Sequence, residues 1–153
     1  MLDPLHVGES PARSAAVIRL QVPQKELPRV MGPAIQELLA ALQAQGMAPA
    51  GPVFSHYLSM DAGLFDFEVG VPVAAAVAPV GRVQPGQLPG GRVVRTTYHG
   101  PYEGLHQAWR QFGELARAQG YQPAGGFWES YVIGPETSPE AATWRTELNQ
   151  LLG

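Results

Sequence analysis

The sequence predicts an α+β fold: a duplicated βαββ unit with pseudo-two-fold symmetry, its helices packed on antiparallel sheet. Three observations carry this expectation. Residues 44–57 read AQGMAPAGPVFSHY and residues 118–131 read AQGYQPAGGFWESY, identical at seven of fourteen positions with a constant offset of 74. Such self-similarity is the mark of a repeated supersecondary unit. Each copy follows a stretch with helical spacing of apolar residues. Each is then completed by short segments with the two-residue alternation of strands.

The elements follow in order. Residues 1–14 carry Pro4, Gly8 and Pro11 without periodicity and are expected to form a loose leader. Val17, Ile18, Leu20 and Val22 make a strand with Arg19 and Gln21 turned outward. Gly32-Pro33 is expected to start the first helix, because proline at the first helical position loses no needed donor. Ile35, Leu38, Leu39 and Leu42 then form one apolar face, and Gly46 supplies the left-handed cap. Residues 53–60 and 64–71 are expected to form a hairpin across Asp61-Ala62-Gly63. This first repeat spans about 15–78.

A turn-rich connector, residues 79–91, reads as a loop. The second repeat, about 92–150, has the same order. Arg92 to His99 is a β-branched strand, and Gly100-Pro101 repeats the helix start. Glu103 sits in the first turn, where the helix dipole favours a carboxylate. Leu105, Ala108, Trp109, Phe112 and Leu115 form the apolar face, with Trp109 and Phe112 read as core. Residues 126–133 and 143–148 close the unit. One helix on a three-stranded sheet leaves open edges, so pairing two units is expected to close a common core. The pairing is expected to leave a ligand groove between the repeats, on the faces that helices do not cover.

Composition narrows the function. Charged residues are 15% of the 153, against roughly 25% in an average soluble chain, and the net charge is −3. There is one lysine, Lys25, and the nine arginines are scattered, so no basic field for direct nucleic-acid binding is expected. The absence of cysteine excludes disulfides, thiolate chemistry and the common structural zinc sites. With four dispersed histidines, neither a metal nor another cofactor is expected. No basic region followed by an apolar run opens the chain. The apolar stretch around 69–80 is broken by Gly70, Pro72 and Pro79. A soluble cytoplasmic protein, with no membrane partner, is the expectation.

The two copies differ where chemistry could arise. Val53, Ser55 and His56 in the first become Phe127, Glu129 and Ser130 in the second. Alternation places Phe127, Glu129 and Tyr131 on one strand face, with Val53, Ser55 and Tyr57 at the matching places. A carboxylate flanked by aromatic rings suits a cation, since each ring adds roughly 0.5–2 kcal/mol of cation–π attraction. The plain structural alternative is a solvated glutamate on an edge strand. Asp66 and Glu68 read only as the outer face of a half-buried strand.

The series FDFEVGVPV, LPGG, YHGPYEGLHQAW, WESY and WRTEL, in that order, resembles the gyrase-inhibitor-like (GyrI-like) small-molecule-binding domain. That domain also forms the effector-binding part of MerR- and AraC-type transcription regulators. The resemblance covers about residues 15–150 and implies one such domain over 15–153. It implies an aromatic groove whose acidic residue, by the WESY phrase, is Glu129, with Tyr131 lining it. Tyr57 is its second wall by the repeat, and Phe127 and Ser55 complete the candidate ligand-binding set. With about 14 residues ahead of the domain, no helix-turn-helix reader is expected.

Three functions compete on these grounds. The first is a stand-alone binding protein that captures hydrophobic or lipophilic-cation ligands, as a monomer or homodimer. The second, implied by the resemblance, is a hydrolase opening strained cyclopropane-type natural products with Glu129 and Tyr131 as catalytic candidates. Gyrase inhibition ranks last, because no acidic strip or exposed helix suggests a partner surface.

Overall fold

The computed structural model describes residues 2–59, 63–135 and 137–153. The chain divides into two compact units, one of Pro11–Gly90 and one that joins the first ten residues to Gly91–Gly153. Strand β1 (His6–Ser10) therefore belongs with the C-terminal unit.

In the unit of residues 11–90, the apolar alternation after Ser14 forms β2 (Arg13–Pro23), with Arg19 and Gln21 exposed as expected. A 3-10 turn, Gln24–Glu26, leads into α1 (Leu27–Ala44). The chain returns through β3 (Phe54–Ser59), β4 (Leu64–Pro72) and β5 (Gln84–Leu88). The strands run antiparallel in the order β3-β4-β2-β5. Helix α1 lies against β2 and β4 and buries Ala34, Leu38, Ala41 and Leu42. Ile18 stands opposite Val69 and Leu20 opposite Phe67, all buried. Each fully buried side chain of this size stabilises the fold by about 1.5–3 kcal/mol.

Three expectations about this unit are corrected. The helix begins at Leu27, not at Gly32-Pro33: Pro28 occupies the early position where proline is harmless, and Pro33 lies inside the helix. The buried stripe is rotated by one residue from the expected face, leaving Leu39 40% exposed. The connector is not simply a loop, since it contains β5. Gln45 anchors the residue just before the connector with two hydrogen bonds, accepting from Ala78 N at 2.9 Å and donating to Ala78 O at 3.0 Å. Arg82 reaches Glu37 on α1 at 2.6 Å. The expected hairpin residues Asp61 and Ala62 lie outside the described residues.

The unit of 91–153 contains β6 (Gly91–His99), a 3-10 turn (Tyr102–Gly104) and α2 (Leu105–Ala118). It closes with β7 (Pro123–Ile133) and β8 (Arg145–Leu152). Its antiparallel order is β1-β6-β8-β7. The expected loose leader is thus corrected, because His6–Ser10 pairs with residues 91–95 of β6 and Val7 packs on the core. That core joins Val94, Tyr98 and Leu148 of the sheet to Ala108, Phe112 and Ala116 of α2. Leu115, expected inside, is exposed, and Ala116 takes its place. Both helices end before a positive-φ glycine, Gly46 at 68° and Gly120 at 86°, as the spacing predicts. No helix among the described residues is long and apolar enough to cross a membrane.

Candidate ligand site around Glu129

Register decides which way Glu129 faces. It stands opposite Leu148, with Phe127 opposite Gln150 and Tyr131 opposite Thr146. Side chains opposite one another share a face, and Leu148 belongs to the core that α2 covers. Glu129 therefore lies on the helix-covered face of this sheet, which corrects the expectation of an uncovered one.

Helix α2 supplies its partner. The indole Nε1–H of Trp109 donates to Glu129 Oε1 at 2.9 Å. The Trp109 ring meets Phe127 at 4.7 Å between centroids and Phe112 at 5.6 Å. Glu129 is 4% exposed, so the solvated-edge reading does not describe it. A carboxylate at that depth requires polar partners, and this one holds at least the indole. Phe112 is core as expected, whereas Trp109 is half-buried and joins the site. Helical spacing alone could not separate the two.

The turn before α2 brings in a second aromatic group. Tyr98 donates from its hydroxyl to Pro101 O at 2.8 Å, folding the chain back at the end of β6. A side chain at Gly104 would collide with that hydroxyl, which is why glycine stands there. Burial, with a smaller push from Glu103, raises the Tyr98 phenol above its ordinary value and keeps it a donor. The corner is tied to the start of β8 by Gly100 N–H donating to Trp144 O at 3.0 Å. Tyr102 is thereby placed 5.6 Å from Tyr131 and 4.8 Å from Trp144, ring to ring. Trp144 is itself fixed by donating from Nε1 to Ser138 O at 3.0 Å. Tyr102 and Trp144 were not among the expected site residues. Tyr102 reads locally as a helix start, and no spacing in the sequence ties Trp144 to it.

Of the candidate residues, Phe127, Glu129 and Tyr131 are brought together on one face of β7. Ser55 and Tyr57 lie in the unit of 11–90, on β3. Tyr57 is buried, stacks on Phe67 at 5.6 Å and meets Phe65 edge-on at 6.0 Å. The hydroxyl of buried Ser55 approaches Met31 Sδ of α1 at 3.9 Å. Asp66 and Glu68 behave as an outer face: Asp66 takes Arg19 at 2.6 Å and 2.9 Å and Gln21 at 3.2 Å. Glu68 stands 3.6 Å from His56. Among the described residues, no group of three or more His, Asp or Glu could hold a metal ion.

The sequence profile of the GyrI-like small molecule binding domain matches residues 4–149. The chain belongs to that family. Among solved structures, this GyrI-like domain is similar to the C-terminal domain of EcmrR, with a TM-score of 0.86 at 21% identity. That match covers 98% of this chain and 97% of the other. In EcmrR bound to DNA, which matches at a TM-score of 0.85 and 21% identity over 97% of this chain, the GyrI-like domain spans 57% of the longer chain. SAV2435 bound to tetraphenylphosphonium matches at 0.74 and 12% identity, over 99% of this chain and 94% of that one. A hydrolase encoded by lin2189 from Listeria innocua matches at 0.66 and 12% identity, over 97% and 91%. At these identities the likenesses establish the GyrI-like fold. No curated protein matches the chain.

Proposed function

We propose that this GyrI-like domain captures lipophilic cations at Glu129. The observation that carries the reading is a carboxylate 4% exposed, on the same strand face as two aromatic rings and reached by the Trp109 indole N–H. Such a group is stabilised by an incoming cation, and an apolar cation gives up little hydration on entering. Phe127 and Tyr131 line the site, with Tyr102 and Trp144 extending the aromatic surface from Tyr131. Through the repeat, Ser55 and Tyr57 hold the matching places on β3 of the unit of 11–90. The repeat is itself proposed: two βαββ copies over about 15–78 and 92–150, supported by the shared phrase and by matching strand orders. SAV2435, which holds tetraphenylphosphonium, supports that cation as the first probe.

The test is titration with tetraphenylphosphonium and with neutral triphenylphosphine oxide, followed by calorimetry. Glu129→Gln is expected to lose about tenfold or more in affinity for the cation and to bind the neutral compound unchanged. Equal affinities in variant and wild type for both compounds would remove Glu129 from the reading.

A second reading, turnover, rests on Glu129 and Tyr131 sharing one face two residues apart. Carboxylate and phenol can move protons for a water attacking a reactive substrate, help worth about 10²–10⁴-fold. Mass spectrometry of cyclopropane-type electrophiles incubated with the protein decides it. Product at the buffer rate rejects it.

A further inference from the structure

Thr146 is completely buried, and its Oγ1 has no hydrogen-bond partner among the described residues. That is unusual for a hydroxyl, which ordinarily finds an acceptor or stays in water. The neighbouring strand shows the ordinary case: Thr96, equally buried, donates to Asp3 O at 2.7 Å. Thr146 also occupies a particular place. On β8 it stands opposite Tyr98 on one side and Tyr131 on the other, two residues from Leu148, which is opposite Glu129. It therefore shares the face of the candidate site and adjoins the ring run Tyr131, Tyr102 and Trp144.

We infer that the Thr146 hydroxyl is a specificity-determining group of the Glu129 site, hydrogen-bonding a polar substituent on an otherwise apolar cationic ligand. The inference rests on the ligand reading above and adds the chemistry that reading lacks. Charge is met by Glu129 and apolar area by the rings, so neither distinguishes one lipophilic cation from another. A buried hydroxyl does, because a ligand that satisfies it gains a hydrogen bond in a dry site, and one that cannot leaves it unsatisfied. The preferred ligands are aromatic cations bearing a hydroxyl or amine.

The experiment uses two probes that differ by one group, tetraphenylphosphonium and (4-hydroxyphenyl)triphenylphosphonium, on the whole chain. Wild type is expected to prefer the hydroxylated probe by about 3–10-fold. Thr146→Val, which keeps the shape and removes the hydroxyl, is expected to abolish that preference while leaving tetraphenylphosphonium affinity unchanged. Thr146→Ser is expected to retain the preference. The ligand-free Val variant is expected to melt no lower than wild type, since it discards an unsatisfied polar group. A preference that survives in the Val variant, or is missing in wild type, overturns the inference and leaves the Glu129 reading standing. So does a fall of several degrees in the Val variant's melting point, which would mean that the protein itself holds the hydroxyl. Failure of wild type to bind either probe overturns the Glu129 reading, and this inference with it.

Discussion

Trp109 and Glu129 are joined across the space between α2 and β7 by a 2.9 Å hydrogen bond from indole N–H to carboxylate. Removing one partner of a buried hydrogen bond costs about 1–3 kcal/mol. Trp109→Phe keeps the ring against Phe127 and removes the donor, so it is expected to lower stability by that amount in urea unfolding. Tetraphenylphosphonium should still bind by calorimetry, while most of the ligand-induced change in tryptophan emission disappears. An emission change equal to that of wild type would mean that the ligand sits away from Trp109.

The unit of 11–90 offers a test of packing. Gly70 stands opposite Phe54 on one side and Val17 on the other. A Cβ there would lie 2.6 Å from Phe54 Cζ and 2.9 Å from both Val17 Cγ1 and Ala16 O. The obstruction includes backbone, so rotamer changes cannot relieve it. Gly70→Ala is expected to cost about 2–3 kcal/mol of stability, the upper part of the range for overpacked cores.

Acid stability should depend on Asp66. The hydrogen bonds from Arg19, with Gln21 adding to them, hold its carboxyl below the usual aspartate range, while burial opposes them. A group depressed on folding contributes stability that is complete above its unfolded value, about 3.9, and lost as pH falls through the folded value. Asp66→Asn is therefore expected to melt lower than wild type by a constant amount above about pH 5. The gap should close as pH falls below about 4. A gap that stays constant down to pH 2 would assign the ion pair no role in stability.

Tyr98 has the opposite sign. Its raised phenol keeps a proton in the folded protein where the unfolded chain has begun to lose it, so stability falls as pH rises beyond about 10. Tyr98→Phe is expected to cost about 1 kcal/mol at neutral pH, from the lost bond to Pro101 O. Its deficit should narrow in alkaline melting curves as the wild type weakens.

How much of this was legible beforehand differs by kind of feature. Strands and helix ends were, because alternation and cap glycines are local: Gly46 and Gly120 stop their helices where expected. The start of α1 was misplaced because two prolines compete for one role, and Pro28 takes it. Strands β1 and β5 were missed because each is five residues long and carries glycine, proline or polar residues, so only its partner strand makes it a strand. The company Glu129 keeps was half legible. Phe127 and Tyr131 follow from alternation within one strand. Trp109 and Tyr102 come from another element, and which helical residue crosses over a given strand position depends on tertiary packing. Thr146 carries no sequence signal at all, since what marks it is the lack of a partner among the described residues.

The pairing of β1 with β6 sets an order of events for a chain made from its N-terminus. His6 meets its partner, Arg95, only after 89 further residues have been made. In the interval every residue of the unit 11–90 has appeared, so its four strands can zip together first. The β1 segment thus waits unpaired while its neighbour folds, and it can be stitched in only once Gly91–His99 has appeared. Contacts of such long range slow folding. The half of the molecule that carries Glu129 is therefore the half that matures late.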